Sequence, residues 1–335
     1  MQTAPQTTEP PCALPPHVST PQAAEALREV VCVYTDLDGT LFAPGGRLLA
    51  AHDGAPSTAT AHALVSLREA GVEIVPVTGR NRLQGEEIAR ILDLRTFISE
   101  LGCVVQEGYG ANAQSRYLLG EWDNLVLAEG LEPGMLPADA TPYGLVAQSG
   151  VVDRLMEAFP GRVEHHNPHR IAREVTFMLR GKIDVVVAQR MLGEGALPLD
   201  ILDNGVIHPS QHTLIDCPEI HIYHLMPRGS GKAHAVAVDL ARRGLSRSQA
   251  VSVGDSSADV AMGEHTGSFV LMNGGAMEKV LAGAGAYNSR GELDPQAPCP
   301  VFATRKQTAD GWVEFADALL AARQEAGVIR STPPR

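Results

Sequence analysis

The sequence predicts an α/β protein, a doubly wound parallel sheet interrupted by an inserted α+β domain. Three observations lead there. Short apolar runs at residues 30–34 (VVCVY) and 72–77 (VEIVPV) stop at turn residues and alternate with helix-patterned stretches. Runs this short, rich in valine and ended by turn chemistry, read as buried parallel strands. The pattern then breaks between Tyr109 and Tyr223 and returns after it. Strands alternating with helices give a parallel sheet covered on both faces.

A short helix is expected over residues 23–29, followed by the first strand. Residues 57–71 read as a helix with Gly71 as its stop signal. After the second strand, residues 82–94 form a third helix and 96–99 (TFIS) a third strand. Within the insertion, residues 174–180 and 197–208 look like strands around a helix at 185–192. Residues 212–225 read as two further short strands. The doubly wound pattern resumes with a helix at 232–244 closed by Gly244. A strand, loop and helix follow over 249–262, then a strand and loop at 268–275. The expected organisation is a disordered tail over 1–22, a doubly wound core over 23–108 and 224–328, and an inserted domain over 109–223. The terminal STPPR is expected to be disordered.

Composition narrows the function. The 335 residues carry 27 basic and 39 acidic side chains, a formal charge of −12. Non-specific nucleic-acid binding needs clustered positive charge, so that class is excluded, although a local basic pocket for a small anion is not. No run approaches the length of a membrane span. The N-terminus has no basic and apolar signal pattern. Five scattered cysteines without CxxC spacing argue against a zinc site and fit a reducing, cytoplasmic setting.

Four pieces end an expected strand or open a helix of the same sheet, where open α/β sheets bind ligands. In Asp36-Leu37-Asp38-Gly39-Thr40, continued strand geometry would send both carboxylates to one side. Two ionised carboxylates so close repel, and a hard cation such as Mg2+ relieves them. Asp36 can attack phosphorus, and Asp38 can donate and later accept a proton. The same residues also fit a plain turn ending a strand. Thr78-Gly79-Arg80 offers a hydroxyl and an approachable backbone N–H for a phosphoryl oxygen, or a simple strand-to-helix turn. Arg80 and Asn81 can touch substrate or face solvent. Lys232, after Gly229-Ser230-Gly231, sits against the helix dipole unless an anion is there; a solvated lysine is the alternative. Asp255, in Gly254-Asp255-Ser256-Ser257-Ala258-Asp259, is a natural metal ligand or a helix cap. Asp259 lies one turn on, able to bond the loop, the metal shell or Lys232. Asn273 either braces this region or is an ordinary turn residue.

Together, and in this order, the four pieces resemble the motifs of the haloacid dehalogenase (HAD) superfamily, whose members are mostly phosphatases. The resemblance implies a Rossmann-like core, with Asp36 as nucleophile and Asp38 as general acid and base. It implies Thr78 and Gly79 as phosphate contacts, Lys232 as charge holder, and Gly39 and Thr40 as parts of the first motif. It also implies Mg2+ bound by Asp36, the Asp38 backbone carbonyl and Asp255. An insertion between the second and third motifs is similar to the C2-type cap of the Cof-like, or type IIB, branch. That branch includes sucrose-phosphate and mannosyl-3-phosphoglycerate phosphatases. Residues 225–236 resemble its entry to the third motif, with Ala233 where glycine is common. The expected activity is Mg2+-dependent hydrolysis of a small phosphate monoester, a sugar phosphate or glycosyl-phosphoglycerate. A sugar-phosphate mutase and a non-catalytic module on the same fold are the rivals. In the insertion, Arg162, His165, His166, His169, Arg170 and Arg173 make a basic stretch. It can bind sugar hydroxyls or a second acidic group, with Arg170 and Arg173 as candidate contacts, or form a solvated loop.

Overall fold

The structure is a computed structural model that describes residues 14–123, 141–166, 173–195, 197–274, 277–283, 294 and 299–328. In chain order the strands are β1 (Cys32–Thr35), β2 (Glu73–Pro76), β3 (Thr96–Ser99), β4 (Val104–Glu107), β5 (Gln114–Tyr117) and β6 (Val163–His165). They continue with β7 (Phe177–Gly181), β8 (Leu199–Ile207), β9 (Ile220–Pro227), β10 (Ala250–Gly254), β11 (Ser268–Leu271) and β12 (Val301–Ala303). The chain divides into two compact units, residues 1–73 with 245–335, and residues 74–244.

The first unit is built on parallel strands in the order β12-β11-β10-β1. Glu73, at the start of β2, donates its N–H to the Val31 carbonyl beside β1. All four residues of β1 and all five of β10 are buried, as strands covered on both faces require. The helices Pro21–Leu27, Ala59–Glu69 and Thr308–Glu325 supply apolar cover, including Leu27, Leu67, Phe315 and Leu319. Arg323 is buried among them because its guanidinium donates to the Val30 and Ala70 carbonyls. Of the tail expected over 1–22, residues 14–22 lie within the described chain and are anchored. Val18 N–H donates to the Ala303 carbonyl, and His17 bonds Glu314 at 2.8 Å. Pro21 opens a helix behind a Thr20 cap, so the ordered chain begins earlier than its composition suggested. Residues 331–335, expected to be disordered, lie outside the described residues.

The second unit holds two antiparallel sheets, β3-β4-β5 and β6-β7-β9-β8. Helices Pro142–Gln148, Val151–Ala158 and Val185–Gly193 cover the larger sheet, closing a core around Trp122, Leu155, Leu179 and Tyr223. Two sequence expectations change here. β3 was read as a third parallel strand, but it pairs antiparallel with β4 and keeps one parallel bridge, Val77 to Ile98. Residues 212–225 were read as two strands, but only β9 forms. Asp216 at φ 51° and Pro218 break the earlier piece. The turn at Glu100–Gly102 packs on the helix Lys232–Arg243, so the helix that opens with Lys232 clusters with residues 74–244. Among the described residues no helix is long and apolar enough to cross a membrane. Cys32, Cys103, Cys217 and Cys299 are in no disulfide among the described residues.

Candidate active site

In the first unit, β1 delivers Asp36 to the carboxyl edge of the parallel sheet. Its N–H continues the ladder to the Val253 carbonyl at 2.9 Å, and its side chain is buried. Strand geometry ends there. The Leu37 carbonyl accepts the N–H of Phe42, and the chain turns, so Asp38 emerges exposed instead of continuing beside Asp36. Gly39 makes the turn at φ 89°. A Cβ at this position would fall 2.3 Å from an Asp255 carboxylate oxygen, so only glycine fits on both counts. Thr40 Oγ1 donates to the same carboxylate at 3.2 Å. The first motif therefore packs directly on the fourth.

Asp255 follows β10. Asp259 folds back under it, and its Oδ2 accepts from the N–H groups of Asp255 and Ser256 and from the Ser256 hydroxyl at 2.6 Å. Ser256, not Asp255, caps the short helix Ser257–Val260, which removes the cap explanation for Asp255. Gly254 has no room for a Cβ, which would lie 2.2 Å from Asp259 Cβ. The result is a group of three carboxylates, Asp36, Asp255 and Asp259, with ligand atoms within 4.8 Å of one another. The Asp38 carboxylate is not in this group. An all-oxygen donor set of crowded carboxylates suits a hard divalent cation, which offsets their mutual repulsion. Asn273 braces the loop after β11, donating from its backbone to Thr304 Oγ1 and from its side chain to the Arg305 carbonyl at 2.7 Å.

In the second unit, Thr78 is buried at the end of the chain run that begins as β2. Its hydroxyl accepts the Arg80 N–H at 3.1 Å. Asn81, a candidate substrate contact, is committed locally. It caps the helix Arg82–Leu92 in a reciprocal box with Gln84. Lys232 opens its helix with only 6 % exposure, which leaves no support for a solvated lysine. Gly102 presses on the loop before it. A Cβ there would sit 2.2 Å from the Gly231 carbonyl oxygen and 2.7 Å from the Lys232 nitrogen. The Glu100–Gly102 turn thus touches the third motif and also donates to the second, since the Glu100 and Leu101 N–H groups bond the Arg80 and Thr78 carbonyls.

Arg173, another candidate substrate contact, donates to the Gly79 carbonyl at 2.6 Å and to Thr176 Oγ1 at 2.8 Å. Burial pulls its pKa down, and the nearby Glu100 carboxylate opposes that. Arg170, the other candidate from the insertion, and His169 lie outside the described residues. Two residues that sequence reasoning did not select also belong here. Glu100 is fully buried, and its carboxylate accepts the N–H groups of Glu174, Val175 and Thr176. An acid directly after an apolar strand was the available signal, because buried charges are paired. Asn204 lies at a bulge between Asp203 and Val206, and its amide stands 3.3 Å from where a Gly79 Cβ would be. No feature of the sequence marks that bulge except Asn204-Gly205 itself.

Buried His224 completes this group. Burial, then Arg173, His166 and Lys232, hold its imidazole well below the ordinary pKa, so it is neutral in the fold.

The fold and the carboxylate group are similar to those of a class. A family model described as haloacid dehalogenase-like hydrolase matches residues 33–118, which include Asp36, Asp38, Thr78 and Glu100. Among particular proteins, the chain is similar in fold to the sucrose-phosphatase of Synechocystis solved with sucrose and phosphate. Identity is 16% and the TM-score 0.53, over 87% of this chain and 98% of that one. A Thermoplasma acidophilum protein matches at 14% identity and TM-score 0.53, with coverage of 87% and 98%. A haloacid dehalogenase-like hydrolase from Bacteroides thetaiotaomicron matches at 16% and 0.50, with coverage of 87% and 99%. No curated protein matches the chain. The resemblance read from the motifs and the doubly wound fold class both hold.

Proposed function

We propose that the chain is a Mg2+-dependent phosphatase that hydrolyses a small phosphate monoester, a sugar phosphate or glycosyl-phosphoglycerate, through an aspartyl-phosphate on Asp36. The observation that carries this reading is the gathering of Asp36, Asp255 and Asp259 within 4.8 Å at the end of a buried parallel strand. Asp36, Asp255 and the Asp38 backbone carbonyl would hold the cation. Its charge would let Asp36 stay ionised as a nucleophile and would offset charge on the phosphoryl oxygens.

In the first step an Asp36 oxygen forms a bond to phosphorus while the ester P–O bond breaks, and Asp38 gives its proton to the departing alkoxide. In the second, water attacks phosphorus and its proton passes to Asp38. The Asp36 carboxylate is regenerated and inorganic phosphate leaves. An exposed Asp38 suits this role, because it can exchange its proton with solvent. The Thr78 hydroxyl, Gly79 N–H and Lys232 ammonium take the charge of the phosphoryl oxygens, the main contribution a protein makes to phosphoryl transfer. Asp259 holds the Asp255 loop in shape. The β6–β9 sheet with its helices, within the cap proposed over 109–223, selects the leaving group, and Asn204 is the cap side chain best supported for reading a hydroxyl. A cytoplasmic setting agrees with cysteines that form no disulfide among the described residues.

The test is phosphate release across phosphorylated sugars and glycosyl-phosphoglycerates, with Mg2+ and with chelator. Release that depends on Mg2+ supports the proposal. Isomerised sugar phosphate without free phosphate would make the chain a mutase, and no turnover of any ester would overturn both.

A further inference from the structure

The loop at residues 78–80 holds three successive peptide planes, and each is fixed from outside. In the first, Leu101 N–H holds the Thr78 carbonyl at 2.9 Å. Because the peptide is trans, the Gly79 N–H points the opposite way. In the second, Arg173 holds the Gly79 carbonyl at 2.6 Å, and the Arg80 N–H at the other end reaches Thr78 Oγ1 at 3.1 Å. In the third, Glu100 N–H holds the Arg80 carbonyl at 2.8 Å, and the Asn81 N–H meets Gln84 Oε1 at 3.2 Å.

The second plane is the unusual one, because a side chain from 94 residues away sets it. By accepting the Arg80 N–H, Thr78 Oγ1 commits a lone pair and turns its own proton elsewhere. We propose that Arg173 is a positioning residue for the Thr78 hydroxyl and the Gly79 N–H, and that Glu100 anchors it. This rests on the phosphatase reading of the same loop. Arg173 is placed for that task and poorly placed to meet a leaving group. Its side chain is 9 % exposed, its Nε lies 3.6 Å from Glu100 Oε2, and its Nε and one terminal nitrogen donate to protein atoms.

The anchor is over-determined. Glu100 accepts three backbone N–H groups and the Thr176 hydroxyl, all from the segment that follows Arg173. Its own turn runs through left-handed backbone at Glu100 (φ 50°), Leu101 (φ 58°) and Gly102 (φ 100°). Non-glycine residues keep such a conformation only where surrounding contacts hold it, and such residues cluster at functional sites. A planar guanidinium suits the post because its fork presents two donors at fixed spacing to Thr176 and Gly79, where an ammonium is a rotating point charge.

The test compares Arg173→Met and Arg173→Lys with the parent chain, using para-nitrophenyl phosphate with Mg2+ and the backbone amide NMR shifts of Gly79 and Arg80. Positioning predicts that Arg173→Met lowers kcat on the order of 10- to 100-fold while KM moves less than about threefold. It predicts displaced Gly79 and Arg80 amides in the free protein, and partial recovery of both readouts in Arg173→Lys. If Arg173→Met does not fold, the Lys variant carries the test, with the same split between kcat and KM at smaller size. An unchanged kcat with a raised KM would overturn the proposal in favour of substrate contact. Unmoved amides with only a lower Tm would overturn it in favour of plain structural support. If the parent chain hydrolyses no ester, the phosphatase reading fails, and the amide shifts alone then decide whether Arg173 sets the loop.

Discussion

At the end of β1, three carboxylates stand within 4.8 Å, and the loops around them are shaped to keep them there. Gly39 and Gly254 leave room, and Thr40 and Ser256 hold the oxygens. Around residues 78–80 charges are paired instead. Glu100 faces Arg173, and Glu174 binds Arg82 at 2.9 Å. The first region concentrates one sign of charge and calls for a cation from solution. The second holds paired charges beside buried Lys232 and has orientation to offer. In phosphoryl transfer generally, a metal supplies charge and fixed donors supply direction.

The comparison can be broken from either side, and the largest effect is expected at the nucleophile. Asp36→Asn should abolish turnover, by on the order of 10⁴-fold or more, with an unchanged circular dichroism spectrum. Appreciable activity in a clean preparation would remove Asp36 as nucleophile. Next comes Glu100→Gln, which leaves Arg173 without its partner charge in a buried setting. Breaking such a pair costs about 3–5 kcal/mol, readable by urea denaturation. A loss below ~1 kcal/mol would mean that the second region does not depend on internal charge matching.

The first region should respond to metal. Mg2+ at one hundred times its Kd should stabilise the parent chain by about 2.7 kcal/mol, and Asp255→Asn should erase that gain. Equal stabilisation of both would locate the ion elsewhere. The smallest effect concerns pH. His224 is held neutral in the fold, with its pKa below the unfolded value. The unfolded chain therefore binds the extra proton first, and stability falls as pH drops through about 6.5. The loss is at most ~1.4 kcal/mol per pH unit, until the folded pKa is reached. His224→Gln should flatten that part of the stability profile between pH 7 and 5, and an unchanged profile would assign the slope to other groups.

The first region was legible because its chemistry is dense and local. Asp36, Gly39, Thr40, Asp255 and Asp259 occupy two five-residue stretches, and each residue type has few uses at such spacing. The second region was legible only in part. Thr78 and Lys232 could be found at strand and helix ends. The roles of Glu100, Arg173 and Asn204 depend on contacts across 74 to 125 positions, and no local pattern announces those. β3 was misassigned for the same reason, because strand composition does not choose a partner. Asn81, read as a substrate contact or a solvent-facing residue, is instead a reciprocal helix cap with Gln84, a local pairing that reading did not include.

Trp312 has a further consequence. Its indole N–H donates to Thr35 Oγ1 at 3.1 Å, and that hydroxyl donates to the Asp36 carbonyl at 2.8 Å. The chain has only two tryptophans, and the other, Trp122, belongs to the second unit's core. Replacing Trp122 with phenylalanine would leave a single native fluorophore linked by two hydrogen bonds to the backbone of Asp36. If the proposed chemistry holds, its emission would follow metal loading and phosphorylation of Asp36 in real time, with no added label.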